Sequence, residues 1–170
     1  SDLLDGWNDT SIVIKFNQAG TPEIAFKAEA TSEPGLSATL SPRAKKLGGV
    51  FRIALGWHKE CWQQGFHKKN YQHPALVQCA PIWGHRDANQ DGKRTGDKFT
   101  NDVKGHNQHG TRPRLTPMRV GEWSYACLVR RFWGDHSAFM RLCSLDPRYI
   151  VDKAFKYSTT VVDYSKFIKA

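Results

Sequence analysis

Short apolar segments that alternate and are cut by turn residues limit this chain to a mostly β architecture. Ser11-Ile12-Val13-Ile14-Lys15-Phe16 and Glu23-Ile24-Ala25-Phe26-Lys27-Ala28 are β-branched and partly alternating, and Gly20-Thr21-Pro22 lies between them as turn chemistry, so the two are expected to form a hairpin. Further strands are expected at Val50 to Leu55, Leu76 to Trp83, Gly105 to His109 and Gly121 to Val129, with a last one over Tyr157 to Phe167. Thr31 to Ser41 and Asp87 to Thr100 are rich in turn residues and are expected as loops. One helix is expected from His136 to Cys143, capped by Asp135 and stopped by Pro147. The pattern predicts a β-sandwich or barrel-like core with one or two short helices.

A length of 170 residues with 39% hydrophobic content suffices for one sizeable core, and the chain is expected as a single domain over residues 1–170. No apolar run reaches the roughly 18 residues that would span a bilayer. Lys and Arg number 25 against 16 Asp and Glu, a net charge of +9 that favours polyanionic partners such as nucleic acid, acidic lipid or an anionic wall polymer. Cys61, Cys79, Cys127 and Cys143 contain no C-x-x-C pair, which argues against a zinc ribbon and against a dense disulfide framework. The irregular spacing of His58, Cys61, His67 and His73 likewise argues against structural zinc.

The residues most suggestive of chemistry lie between His106 and Cys127. A cysteine works as a nucleophile only as thiolate, so it needs a neighbour to take its proton. His109 stands 18 positions before Cys127, and on neighbouring strands the two side chains could face one cleft. Gly110 allows the backbone to turn nearby, Ser124 could orient the imidazole or donate to substrate, and the small Ala126 leaves room for a carbonyl beside the Cys127 amide. A competing reading takes His106 and His109 as a metal-dependent nuclease site, although no full ligand set is visible. In a third motif, Asp87, Asn89 and Asp91 occupy positions 1, 3 and 5 of a calcium-type loop with Gly92 at position 6. The bidentate Glu expected at position 12 is Lys98, and Asp97 falls one residue early.

Gln108-His109-Gly110-Thr111, a gap of 14 residues from Gly110 to Trp123, and Ser124-Tyr125-Ala126-Cys127 together resemble the catalytic signature of the L,D-transpeptidase family. Gly65-x-His67, His73-x-Ala75-Leu76-Val77-Gln78, Arg94-Thr95-Gly96-Asp97 and His136-x-x-Phe139-Met140 extend the likeness to a bacterial subgroup, over roughly residues 20 to 150. The resemblance implies a monomeric cysteine enzyme of the bacterial cell envelope, periplasmic or secreted, that acts on peptidoglycan stem peptides at a bond involving a D-amino acid. Cys127 would be the nucleophile and His109 the base, with backbone amides near residues 126 and 127 holding the oxyanion. Ser124 would complete the catalytic set, and Gln108, Gly110, Tyr125, Ala126, Arg130, His67 and His73 would line the substrate site. No cofactor is required, a structural calcium ion is a candidate at Asp87, Asn89, Asp91 and Asp97, and no specific nucleic acid partner is expected. Tyr125 and Ala126 stand where the family has His and Gly, and Arg130 lies three rather than two residues after the cysteine. A wall-binding module without catalysis is the alternative from a different class.

Overall fold

A computed structural model describes residues 4–67, 72–93, 97–102 and 105–164. Arg94, Thr95 and Gly96 of the wider resemblance, and the end of the expected last strand from residue 165, lie outside these residues. The chain is mostly β, with 41% strand against 18% helix. The strands are β1 (Asp9–Phe16), β2 (Pro22–Thr31), β3 (Val50–Ile53), β4 (Gly56–His67), β5 (His73–Gln78), β6 (Ile82–Asp87), β7 (Lys98–Asp102), β8 (Gln108–Gly110), β9 (Leu128–Arg130) and β10 (Lys156–Val161). The helices are α1 (Leu36–Thr39), α2 (Pro42–Lys46), α3 (Trp133–Ser144) and α4 (Pro147–Val151).

A 7-stranded sheet runs in the order β1-β2-β9-β8-β5-β4-β10, and a 3-stranded sheet in the order β3-β6-β7. Nearly all neighbours are antiparallel, but β8 and β9 pair in parallel, His109 opposite Val129. The β1–β2 hairpin forms as its alternation predicts, with Ile14 opposite Ile24. Trp62, Leu76, Phe51, Ile82, Phe139 and Met140 form the main core between the sheets and α3.

Several expected boundaries move for physical reasons. The run Leu76 to Trp83 is two strands, because Cys79-Ala80-Pro81 breaks it and Ile82 begins the second sheet. β4 escapes periodicity: Trp57, Lys59 and Glu60 are exposed while Trp62 is fully buried. Most of Gly121 to Val129 is turn, and only its end pairs as β9. α3 starts earlier than expected at Trp133, its N-cap is Phe132 without a side-chain cap, and Asp135 falls in its first turn. The helix ends at Leu145, and Pro147 opens α4, where its missing N–H costs nothing.

One charge cluster ties the loop before α1 to the second sheet. The Arg52 side chain, fully buried in β3, takes Glu33 Oε2 at 2.7 Å and lies 3.6 Å from Asp87 Oδ2. Removing one partner leaves an uncompensated charge in a dry interior. Glu33→Ala is therefore expected to lower unfolding free energy by about 3–5 kcal/mol in urea titrations. Lys59→Ala, which removes the exposed Lys59–Glu60 pair at 3.9 Å, should stay within about 0.5 kcal/mol.

Candidate functional site

Parallel pairing of β8 with β9 decides which residues can meet. Side chains alternate along a strand, and register places Gln108 opposite Leu128 and Gly110 opposite Arg130. These four lie toward α3: the Arg130 guanidinium sits 3.3 Å from the centre of the Phe139 ring, and a Cβ on Gly110 would come within 2.6 Å of His136 Cβ. His109 and Val129 turn to the opposite face, and Cys127, in the turn that leads into β9, packs against Val129.

His109 is almost fully buried within a layer of imidazoles. It stacks on His67 with ring centres 4.0 Å apart, and His73 stands edge-on at 5.8 Å. His73 in turn contacts His136 at 5.6 Å and Trp133 at 5.3 Å. The Asn107 amide donates to His67 Nδ1 at 3.1 Å, and His136 Nε2 bonds Pro74 O at 2.7 Å, which marks it as the protonated nitrogen. His109 Nδ1 bonds Gly110 O at 2.8 Å, so the proton sits there and Nε2 carries the lone pair. That Nε2 has no hydrogen-bond partner among the described residues. Burial, and next the neighbouring His67, hold His109 well below the usual imidazole range, so it is neutral at pH 7.

Cys127 is 8% exposed and packs with Trp7, Val120, Val129 and Trp123. Its thiol donates to Gly105 O at 3.3 Å. Ser124 is fully buried and donates to Cys127 O at 2.8 Å, so its hydroxyl fastens the turn that presents Cys127. The orienting of His109 that the sequence suggested for Ser124 is carried out by Gly110 O and the His67 ring.

Other expected site residues are dispersed. Gln108 and Arg130 lie behind the sheet, where the Arg130 guanidinium donates to Gln108 Oε1 at 3.3 Å and Gln108 Nε2 donates to Thr159 Oγ1 at 2.7 Å. Burial lowers the Arg130 pKa to about 9, and neither side chain reaches the His109 face. Ala126 packs into the main core, and Tyr125 packs on Ala38, Ala44 and Val50 under the Arg43 guanidinium at 5.1 Å. His106 parts from His109: it stacks on Phe51 at 4.3 Å, beside Asp102 at 3.2 Å, so the two histidines form no joint metal site. Asn107 and His136 join the imidazole layer unforeseen. The alternation of Asn107 with His109 was the available signal for the first, and the second was marked only as part of the wider resemblance, with no site role attached.

Asp87, Asp91 and Asp97 bring one carboxylate oxygen each within 4.8 Å of one another. Asn89 turns its amide to Asp91 Oδ2 at 3.0 Å. Asp87 accepts from the Asp91 and Gly92 amides at 3.1 and 3.0 Å and faces Arg52, so the loop closes on its own bonds. Trp57 and Trp83 are 66% and 50% exposed.

No family model, curated protein or solved structure matches this chain. No helix among the described residues is long and apolar enough to cross a membrane.

Two outcomes follow from this arrangement. Burial lowers the pKa of His136 to about 3 and that of His106 to about 4, while unfolded histidine binds a proton near 6.5. Their stabilisation is complete above pH 6.5 and is lost as pH falls toward 4, by about 1.4 kcal/mol per pH unit for each histidine. Urea midpoints should fall between pH 7 and pH 5, and equal midpoints would contradict the buried neutral imidazoles. Gly110→Ala should drive a methyl into His136, destabilise the fold by about 1–3 kcal/mol and displace the His109 ring, seen as shifted imidazole NMR signals.

Proposed function

We propose that this protein is a cysteine-dependent enzyme of peptidoglycan, forming an acyl-enzyme with stem peptides at a bond involving a D-amino acid. The observation that supports the reading is the parallel β8–β9 register, which sets His109 opposite Val129, the residue against which Cys127 packs. A neutral imidazole with its proton pinned on Nδ1 and a lone pair on Nε2 that no other group takes has the form a general base needs.

In the proposed reaction the Cys127 proton passes to His109 Nε2 and the sulfur attacks the substrate carbonyl. The C–S bond forms, the oxyanion rests on backbone amides near residues 126 and 127, and the amide C–N bond breaks as His109 returns the proton to the leaving amine. Water or a second stem amine then resolves the thioester, which separates a carboxypeptidase or endopeptidase from a transpeptidase. His67 and His73 frame the base, and Gly110 serves through its carbonyl. The +9 charge suits an anionic wall polymer in the bacterial envelope. The reaction calls on no cofactor, and a calcium ion at Asp87, Asp91 and Asp97 would be structural.

A second reading, a wall-binding module without catalysis, draws on the slight exposure of Cys127 and its bond to Gly105 O. Product masses from purified muropeptides separate the two. The enzyme reading predicts loss of a terminal D-residue, crossbridge cleavage or dimer formation, reduced about 1,000-fold or more in Cys127→Ser. Unchanged muropeptides, with wild type and Cys127→Ser retained equally on sacculi, would establish the binding module instead.

A further inference from the structure

Two cysteines outside this site stand opposite each other at the end of the β4–β5 ladder. Register pairs Trp62 with Gln78, and one step further Cys61 faces Cys79, whose backbone N–H donates to Cys61 O at 2.8 Å. A hydrogen-bonded antiparallel pair has Cα atoms about 5.5 Å apart and side chains on one face, inside the roughly 4.4–6.8 Å that a disulfide spans. Cys61 Sγ lies 3.2 Å from Lys59 O and 3.4 Å from Pro81 O, and Cys79 Sγ lies 3.6 Å from Glu60 O, so both thiols rest on backbone carbonyls around this end of the ladder.

We propose that Cys61 and Cys79 are a redox-responsive pair that closes into a cross-strand disulfide when a low-molecular-weight disulfide is supplied. Cys79 is the half-exposed member and Cys61 the buried one, which sets the order of events. Cys79 thiolate attacks the external disulfide, forming a mixed disulfide and releasing one small thiol. Cys61 thiolate then attacks the Cys79 sulfur and releases the second. Two protein thiols are oxidised, two electrons pass to the external disulfide, and the two protons end on the released thiols. Burial first, and the adjacent Cys79 second, push the Cys61 thiol up, so the pair is a slow responder that stays reduced without an oxidant. The other two cysteines are placed differently: Cys143 lies in the main core, pushed up to about 12 by burial, and Cys127 lies in a separate cluster.

The closed bond would clamp the hairpin whose far end carries the paired His67 and His73, stiffening the strands beneath the imidazole layer. It stands apart from the reading of His109 and Cys127 and survives the failure of that reading.

Equilibration of the whole chain in a series of reduced and oxidised glutathione, acid quench, alkylation and non-reducing peptide mass mapping tests it. The expected result is one intramolecular Cys61–Cys79 link, a mass lower by about 2 Da, and a Tm about 5–10 °C above that of the reduced protein. Cys79→Ser, at a half-exposed position, should fold with an unchanged circular dichroism spectrum and lose both the link and the Tm shift. Glutathione retained on Cys79 with Cys61 still alkylatable, a dimer linked through Cys79, or a link between other cysteines would overturn the proposal.

Discussion

The parallel contact between β8 and β9 is the constraint on which the rest of the arrangement depends. Two three-residue strands, Gln108–Gly110 and Leu128–Arg130, lie side by side in the middle of the larger sheet with every residue but Leu128 buried. A parallel pair needs a long crossover, and residues 111–127 supply it as an irregular excursion that ends in the Ser124-to-Cys127 turn. A shift of one residue in this register would exchange the two faces, sending His109 toward α3 and Arg130 to the imidazole side. Gly110 guards the register, because only a residue without a side chain fits against His136 there.

That geometry gathers an unusual density of imidazole. Four rings from β4, β5, β8 and α3 pack together, and those of His67, His73 and His136 each disfavour a proton on His109. The cost is sensitivity to acid, and the tautomer of His109 is set by the Gly110 carbonyl rather than by a mobile side chain. Charge is treated differently across the molecule, where Glu33 and Asp87 bracket Arg52 and join the second sheet to the loop ahead of α1.

Much of the fold was legible where the pattern was local. The β1–β2 hairpin, β3 and the body of α3 follow directly from alternation, turn residues and a shared apolar face. β4 was not, because its positions alternate between core, partner strand and solvent, so Trp57, Lys59, Gln63 and Gln64 give no period. The site shows the same division. His109 and Cys127 were paired by their spacing and by the likeness to a family signature, and the β8–β9 ladder that sets His109 opposite Val129 is a long-range contact with no local signature. Ser124, Gln108 and Arg130 were assigned to substrate or catalysis from their positions beside the motif, yet strand alternation and the turn at residues 124–127 direct them to other tasks. Asn107 and His136 could be placed only once the sheet had formed.

The central claim is that His109 activates the sulfur of Cys127, and competition between thiols tests it most directly. Cys79 is the more exposed of the two cysteines and would react first by access alone. Timed alkylation of the native protein with limiting iodoacetamide at pH 7, read by peptide mass, should modify Cys127 before Cys79, and His109→Ala should reverse that order. Cys79 reacting first in wild type and variant alike would contradict the pairing.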